Sequence, residues 1–343
     1  MSNLISNNGQ LAVHNGFLAL GVSSEDLQLA WRALGTGASS DVKKVFVSSA
    51  GDLYAAGTFA TMDNITVNQI AKWDGNSWSA IGEGISLGVP QAIAEDSLGN
   101  IYFGAQNLFK WDGTNLSTVL TTNFSITDMA FDSNENLYFV GGFSSAGGVT
   151  CNNIGKWDGT NVTSIGSGVN TAAAGLDVAI DSSDNIYVAG NFTNIDGVPA
   201  QRIAVWDGIA WSAMSTGFSE MVYDVYASGN DVYAAGFNYS QTGSTVNKWN
   251  PANNNWEVVG SHPYTAYELQ TYNGNLIAVD DIGVHQYINS SWELIPTIYS
   301  SIAGARTLAI KNDEIFIGGT FTSINSQTGS ISANRIAKYG YSI

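Results

Sequence analysis

Cysteine is nearly missing: Cys151 is the single one in 343 residues. No intrachain disulfide can form, and zinc sites built on cysteine clusters are excluded. Charged side chains make up only 12% of the chain, and the basic ones are scarcest, with 12 Lys plus Arg against 29 Asp plus Glu. The net charge of −17 repels phosphate backbones and anionic lipid, so no nucleic-acid partner and no acidic membrane surface is expected. Five prolines and the lack of a long polar tract argue against a disordered linker. No run approaches eighteen consecutive apolar residues, so no helical membrane insertion is expected. The opening residues, MSNLISNNGQLAVHNG, have neither a basic stretch nor a continuous apolar core. They predict a protein that reaches a virion or extracellular surface assembly without a Sec-type signal peptide, and is cytoplasmic if not assembled.

What is present in quantity is glycine, with 38 residues, together with Asn, Ser, Thr and aromatic side chains. Gly and Asn supply the positive φ angles of tight turns, so the composition suits short strands and many reversals. The order within the chain agrees. IAKWDGNSWSAIGEG at 70–84 is nearly repeated by GKWDGTNVTSIGSG at 155–168 and AVWDGIAWSAMSTG at 204–217. Each unit has four parts: an apolar-alternating run such as VKKVFVSS, then an aromatic run ending in Gly such as LYAAG or IYVAG. A loop of variable length leads to a run ending in Trp, and a turn leads to a fourth run such as WSAIG. Period-two alternation rich in Val, Ile, Tyr and Trp is the signature of strands. The Asp-Gly pair that follows Trp73, Trp111, Trp157 and Trp206 predicts a two-residue type I′ turn between strands three and four.

The Trp residues 73, 111, 157, 206 and 249 recur 38 to 49 residues apart, the length of one four-stranded propeller blade. A sixth unit at 268–295 has Tyr287 where Trp is expected, and a seventh stops after three strands. The missing strand lies at the other end of the chain, where LAWRALGTG at 29–37 matches NSWSAIGEG at 76–84. Six complete units and one split between the termini predict an all-β, seven-bladed propeller of four-stranded antiparallel blades over residues 29–343. Its Trp31–Gly35 strand closes the last blade and removes the open edge. Residues 1–28 are left over. GQLAVHNGFLALG reads as a hairpin with Asn15-Gly16 at the turn, either capping the ring or anchoring it to other proteins of a larger assembly.

The motif N-x-IAKWDG-x-x-W-x-x-IG-x-G resembles the WDG-type repeat propellers of bacterial extracellular proteins and fungal cell-polarity surface proteins. The likeness covers most of residues 41–343, is strongest at 68–84, 152–168 and 201–217, and is poor at 266–295. It implies a propeller in surface display or adhesion and carries no catalytic residue with it. Segments such as DVAIDSSDNIYVAG also look like the first two strands of NHL-type blades. The Gly-His dipeptide of WD repeats is absent.

No phosphate loop, nucleophile elbow or HExxH motif occurs, so no catalytic residue and no cofactor is expected. His14, His262 and His285 fall in different units without metal-ligand spacing, and no metal ligand is assigned. The Asp-rich turns at 132–136 and 181–185 offer oxygens to calcium but lack an EF-type register, and Asx residues make turns unaided. Function is expected on the face that carries the long second-to-third-strand loops at 60–69, 144–153, 193–202 and 322–335. The blade-to-blade connections on that face carry Phe218, His262, Tyr264 and Tyr299. This arc reads either as a glycan or receptor site or as a plug of the central channel. The sequence therefore favours a non-enzymatic attachment module, over a free carbohydrate-binding lectin and over a propeller-face hydrolase or lyase.

Overall fold

A computed structural model of the chain describes residues 12–14, 17–19, 29–170, 176–237, 246–262, 264–295, 301–326 and 329–341. No helix occurs among the described residues. Seven four-stranded antiparallel sheets follow one another. The first orders Val42–Val47, Leu53–Gly57, Ile70–Trp73 and Trp78–Ala80 from the axis outward. The first strands of successive sheets pack side by side, and that of the seventh, Ala305–Lys311, packs on that of the first. Leu29–Ala33 is the fourth strand of the seventh sheet and pairs with Ile336–Tyr341, with Trp31 opposite Tyr339. The closing strand thus starts two residues earlier than the sequence reading placed it. The protein is a seven-bladed β-propeller closed by its own N-terminal strand.

The repeated motif now has a structural account. Trp73 faces Trp78 across the hairpin, ring centroids 5.4 Å apart, and Trp206 faces Trp211 at 5.5 Å. Tyr287 takes the same place against Trp292 at 5.3 Å. The fourth-strand indoles then reach across the blade boundary. The Nε1–H of Trp78 donates to the Leu34 carbonyl of blade seven, that of Trp211 to Ile165 of blade three, and that of Trp31 to Ile295 of blade six. A buried indole needs such an acceptor, and here the acceptor ties two blades together. In blades two and three Leu116 and Val162 stand at this position, without the indole.

The expected type I′ turn is corrected. Four residues, Asp74–Ser77, separate the paired tryptophans, and only Gly75 among them takes a positive φ, at 108°. The Asp74 carboxylate accepts the Asn76 and Ser77 amides at 2.8 Å each, an Asx turn that makes a second positive φ unnecessary. Asp112, Asp158 and Asp207 repeat it. These amide hydrogen bonds hold all four carboxyls below their ordinary range. The two-residue turn with both φ positive does occur, at Asn273-Gly274 and Asn289-Ser290 of blade six.

Near the N-terminus, Ala12–His14 pairs antiparallel with Phe17–Ala19, as the expected hairpin requires, while the Asn15-Gly16 turn lies outside the described residues.

Candidate functional site

The alternation of strand directions gives the ring two unlike faces. The turns between strands one and two and between strands three and four share one, called here the turn face. Leu29 and Tyr341, paired at the end of the closing strand, also lie there. The Asp-rich turns on this face use their oxygens within the turn or, for Asp184, on Ser133 of the neighbouring turn. Asp132 accepts the Asn134 and Asn136 amides, at 2.9 and 2.8 Å, and the Asn136 side chain at 2.7 Å; Asp181 repeats the scheme and also accepts the Tyr187 hydroxyl. Turn chemistry accounts for these acids.

The opposite face carries the long loops, and four of them are hairpins: 61–66 in blade one, 145–150 in blade three, 194–199 in blade four and 323–332 in blade seven. Each is bridged to the exit of the preceding blade, by Ala38–Met62, Thr122–Ala146, Val169–Ile195 and Ser301–Asn325. Asp63 accepts the Thr36 amide and Asp196 the Ser167 amide, both at 2.7 Å, adding a second brace. The projections are therefore held by two blades at once. Blades two and six lack them, with short links at Ala105–Gln106 and Asp281–Gly283. On the same face the connections into blades two and three expose Leu87 (47%) and Phe124 (62%).

Between the faces runs the channel. One register level of the first strands forms a collar of Lys44, Asp128, Asp177, Asp224, Glu268 and Thr307, one from each first strand except blade two, where Ala92 stands. Asp128 accepts the Val178 amide of the next blade at 3.0 Å, and Asp177 accepts Val225 at 2.8 Å. Asp224 accepts Leu269, Glu268 accepts Leu308, and Thr307 accepts Val45, each at 3.1 Å. Lys44 Nζ reaches Glu268 at 2.8 Å. Burial lifts the Asp128, Asp177 and Asp224 carboxyls above the ordinary range, with neighbouring acids adding to it and Lys44 opposing. Burial also opposes the Lys44 charge, but Glu268, Asp128 and Asp177 outweigh it and hold the ammonium above its usual value. The collar thus stitches blade to blade. On the hairpin-face side it opens into a cavity of about 370 Å³, edged by Tyr223, Tyr267 and Arg306. The two tyrosine rings are 5.5 Å apart, and the Arg306 guanidinium lies 4.0 Å over Tyr267.

The four residues of the expected arc are placed differently from one another. Phe218 packs on Trp256, 5.1 Å away, in the core between blades four and five. His262 is fully buried beneath the connection into blade six, and Tyr264 stacks on His285 at 5.6 Å. Tyr299 lies outside the described residues. The reading that the histidines belong to unrelated units is corrected: His262 and His285 meet around Asp280, because the blade-five exit folds back onto blade six.

No protein-family model matches the chain, and no curated protein matches it. Solved structures do. The WD40 β-propeller domain of Doa1 aligns at a TM-score of 0.59 and 12% identity, covering 91% of this chain and 97% of that one. YCF48 bound to D1 peptide aligns at 0.57 and 12% identity, covering 91% and 96%. A streptogramin B lyase aligns at 0.56 and 11% identity, covering 92% and 98%. At such identities the likeness shows the propeller fold alone.

Proposed function

We propose that this propeller is a non-enzymatic binding module, the attachment component of a surface assembly such as a virion tail, an injection apparatus or a cell surface. One observation carries the reading. The chain enters the ring from residues 1–28 on the turn face, while the braced hairpins, Leu87, Phe124 and the aromatic channel mouth lie on the other. A molecule tethered on one side and sculpted on the other is suited to docking and presenting at once. The resemblance to WDG-type surface propellers supports the same role, as does the peptide-bound state of YCF48. The lyase among the similar structures keeps an enzymatic alternative in view, but in this chain each collar carboxylate is engaged by a neighbouring blade.

The ligand class that fits the hairpin face is a glycan or a protein receptor on an outer surface. Exposed aromatic side chains supply contact area at small entropic cost, and few such anchors dominate an interface. The test is a glycan and cell-surface binding screen on two double variants. Leu87→Ser with Phe124→Ser should weaken binding tenfold or more and leave melting unchanged. Leu98→Ser with Ile209→Ser, still more exposed on turn-face tips, should leave binding intact. Equal weakening by both pairs, or conversion of the bound ligand to product, would overturn the reading.

A further inference from the structure

We propose that His262, Asp280 and His285 form a binding site for one divalent transition-metal ion, zinc being the best match. The ion would pin the connection between blades five and six on the hairpin face. The three ligating atoms, His262 Nε2, His285 Nδ1 and an Asp280 carboxylate oxygen, all lie within 4.8 Å of one another, and all three residues are buried. His262 Nε2 stands 3.1 Å from Asp280 Oδ2, and His285 Nδ1 closes on that same oxygen. A tetrahedral zinc with bonds near 2.0–2.1 Å sets its ligands about 3.3 Å apart, so modest side-chain rotation admits the ion. Two imidazoles and one carboxylate are a ligand set zinc commonly takes, with a fourth position left for water.

The surroundings are built as a metal site's are. His262 Nδ1 faces the Tyr264 carbonyl at 3.0 Å, a bond that fixes a ligating ring with its other nitrogen turned inward. The remaining Asp280 oxygen, Oδ1, accepts the Ile282 and Gly283 amides at 2.9 and 3.1 Å, which leaves Oδ2 aimed at the rings. Trp292 packs on His262 at 4.8 Å and Tyr264 on His285. His262 also has an acceptor oxygen at both ring nitrogens, and a neutral imidazole carries only one N–H. With the Nδ1–H donating to the Tyr264 carbonyl, the Nε2 lone pair faces the Asp280 carboxylate, and a cation between them suits both. Isolated buried charge is costly, and a shared cation satisfies both rings and the carboxylate together.

The position of Asp280 in the repeat points the same way. It pairs with Ala266, the register at which blades one, three, five and seven have Gly57, Gly141, Gly236 and Gly319. A Cβ on any of those glycines would lie 2.0–2.4 Å from a carbonyl oxygen of the incoming connection. Blade six abandons that close approach and has no hairpin to brace its boundary with blade five. The His–Asp cluster occupies the vacated place, and the ion would supply the brace.

The test uses the full chain, stripped with a chelator and titrated with Zn²⁺ by calorimetry, alongside thermal melting with Zn²⁺ and with Mg²⁺. The proposal expects one zinc per chain, a melting temperature raised by Zn²⁺ and not by Mg²⁺, and visible tetrahedral absorption on cobalt substitution. His285→Gln should weaken zinc binding about 100-fold and abolish the zinc-dependent rise. His14→Gln should do neither. If His285→Gln fails to fold, Asp280→Asn provides the same comparison. Absence of stoichiometric zinc binding by the parent protein would overturn the proposal. So would unchanged affinity in a folded His285→Gln or Asp280→Asn protein.

Discussion

The two faces of the ring are made by opposite uses of the same repeat. On the turn face nearly every blade solves its reversals alike. Asp74, Asp112, Asp158 and Asp207 cap their own turns, and Asn250 does so with the Ala252 and Asn253 amides. On the hairpin face, blades one, three, four and seven carry braced projections, blade two a tight link, and blade six a histidine cluster. Uniformity marks what every blade needs in order to be a blade. Departure from the repeat marks where sequence has been used for something other than folding.

If this division holds, the shared frame is fragile and the hairpin face is tolerant. The largest effect should come from deleting residues 1–37, which removes the closing strand and leaves the Ile336–Tyr341 edge unpaired. The truncated chain should aggregate or fail to melt cooperatively, whereas deletion of 1–26 should preserve a cooperative transition in calorimetry. Next comes Trp211→Ala, which empties a buried indole site and strands the Ile165 carbonyl. Loss of such a side chain costs about 3–5 kcal/mol, readable by urea denaturation.

A smaller and more discriminating effect should come from Asp224. Replacement by Ala orphans the buried Leu269 amide, at a cost of about 1–3 kcal/mol. Asn keeps the acceptor oxygen and removes the charge. Because burial and neighbouring Glu268 hold the Asp224 carboxyl above its unfolded value, the folded state binds the extra proton in the window between the two. Stability from this group therefore rises as pH falls through the folded value and is complete below the unfolded one. Asp224→Asn should thus be relatively more stable, compared with the parent, at about pH 7.5 than at about pH 4.5. A pH-independent difference would mean that the collar's charge carries no folding penalty.

Blade number and ring closure were legible because glycine and tryptophan stand where geometry tolerates little else, as at Gly141 and Trp211. The turn type was not legible, since an Asp carboxylate can replace a backbone conformation, and Asp-Gly suits both outcomes. The collar could have been found. ITDMAF, GLDVAI, VYDVYA and AYELQT each place an acid at the third position of the quoted first-strand segment, one repeat apart. A lone acid at a recurrent core position asks for a recurrent partner. The His262–Asp280–His285 cluster left no such trace, because its members are brought together by the connection into blade six, which does not follow the repeat. Phe218 was legible as an aromatic but not as a core residue, since nothing in its neighbours announces Trp256.

The division of labour between faces is tested most directly by binding to the receptor surface after capture in two orientations. In one, the protein is held through a biotin at its N-terminus. In the other it is held through a cysteine placed at Val149, on the tip of the blade-three hairpin, with Cys151→Ser as background. Full binding is expected from N-terminal capture, and its loss when the hairpin face is turned to the support. Equal binding in both orientations would contradict it.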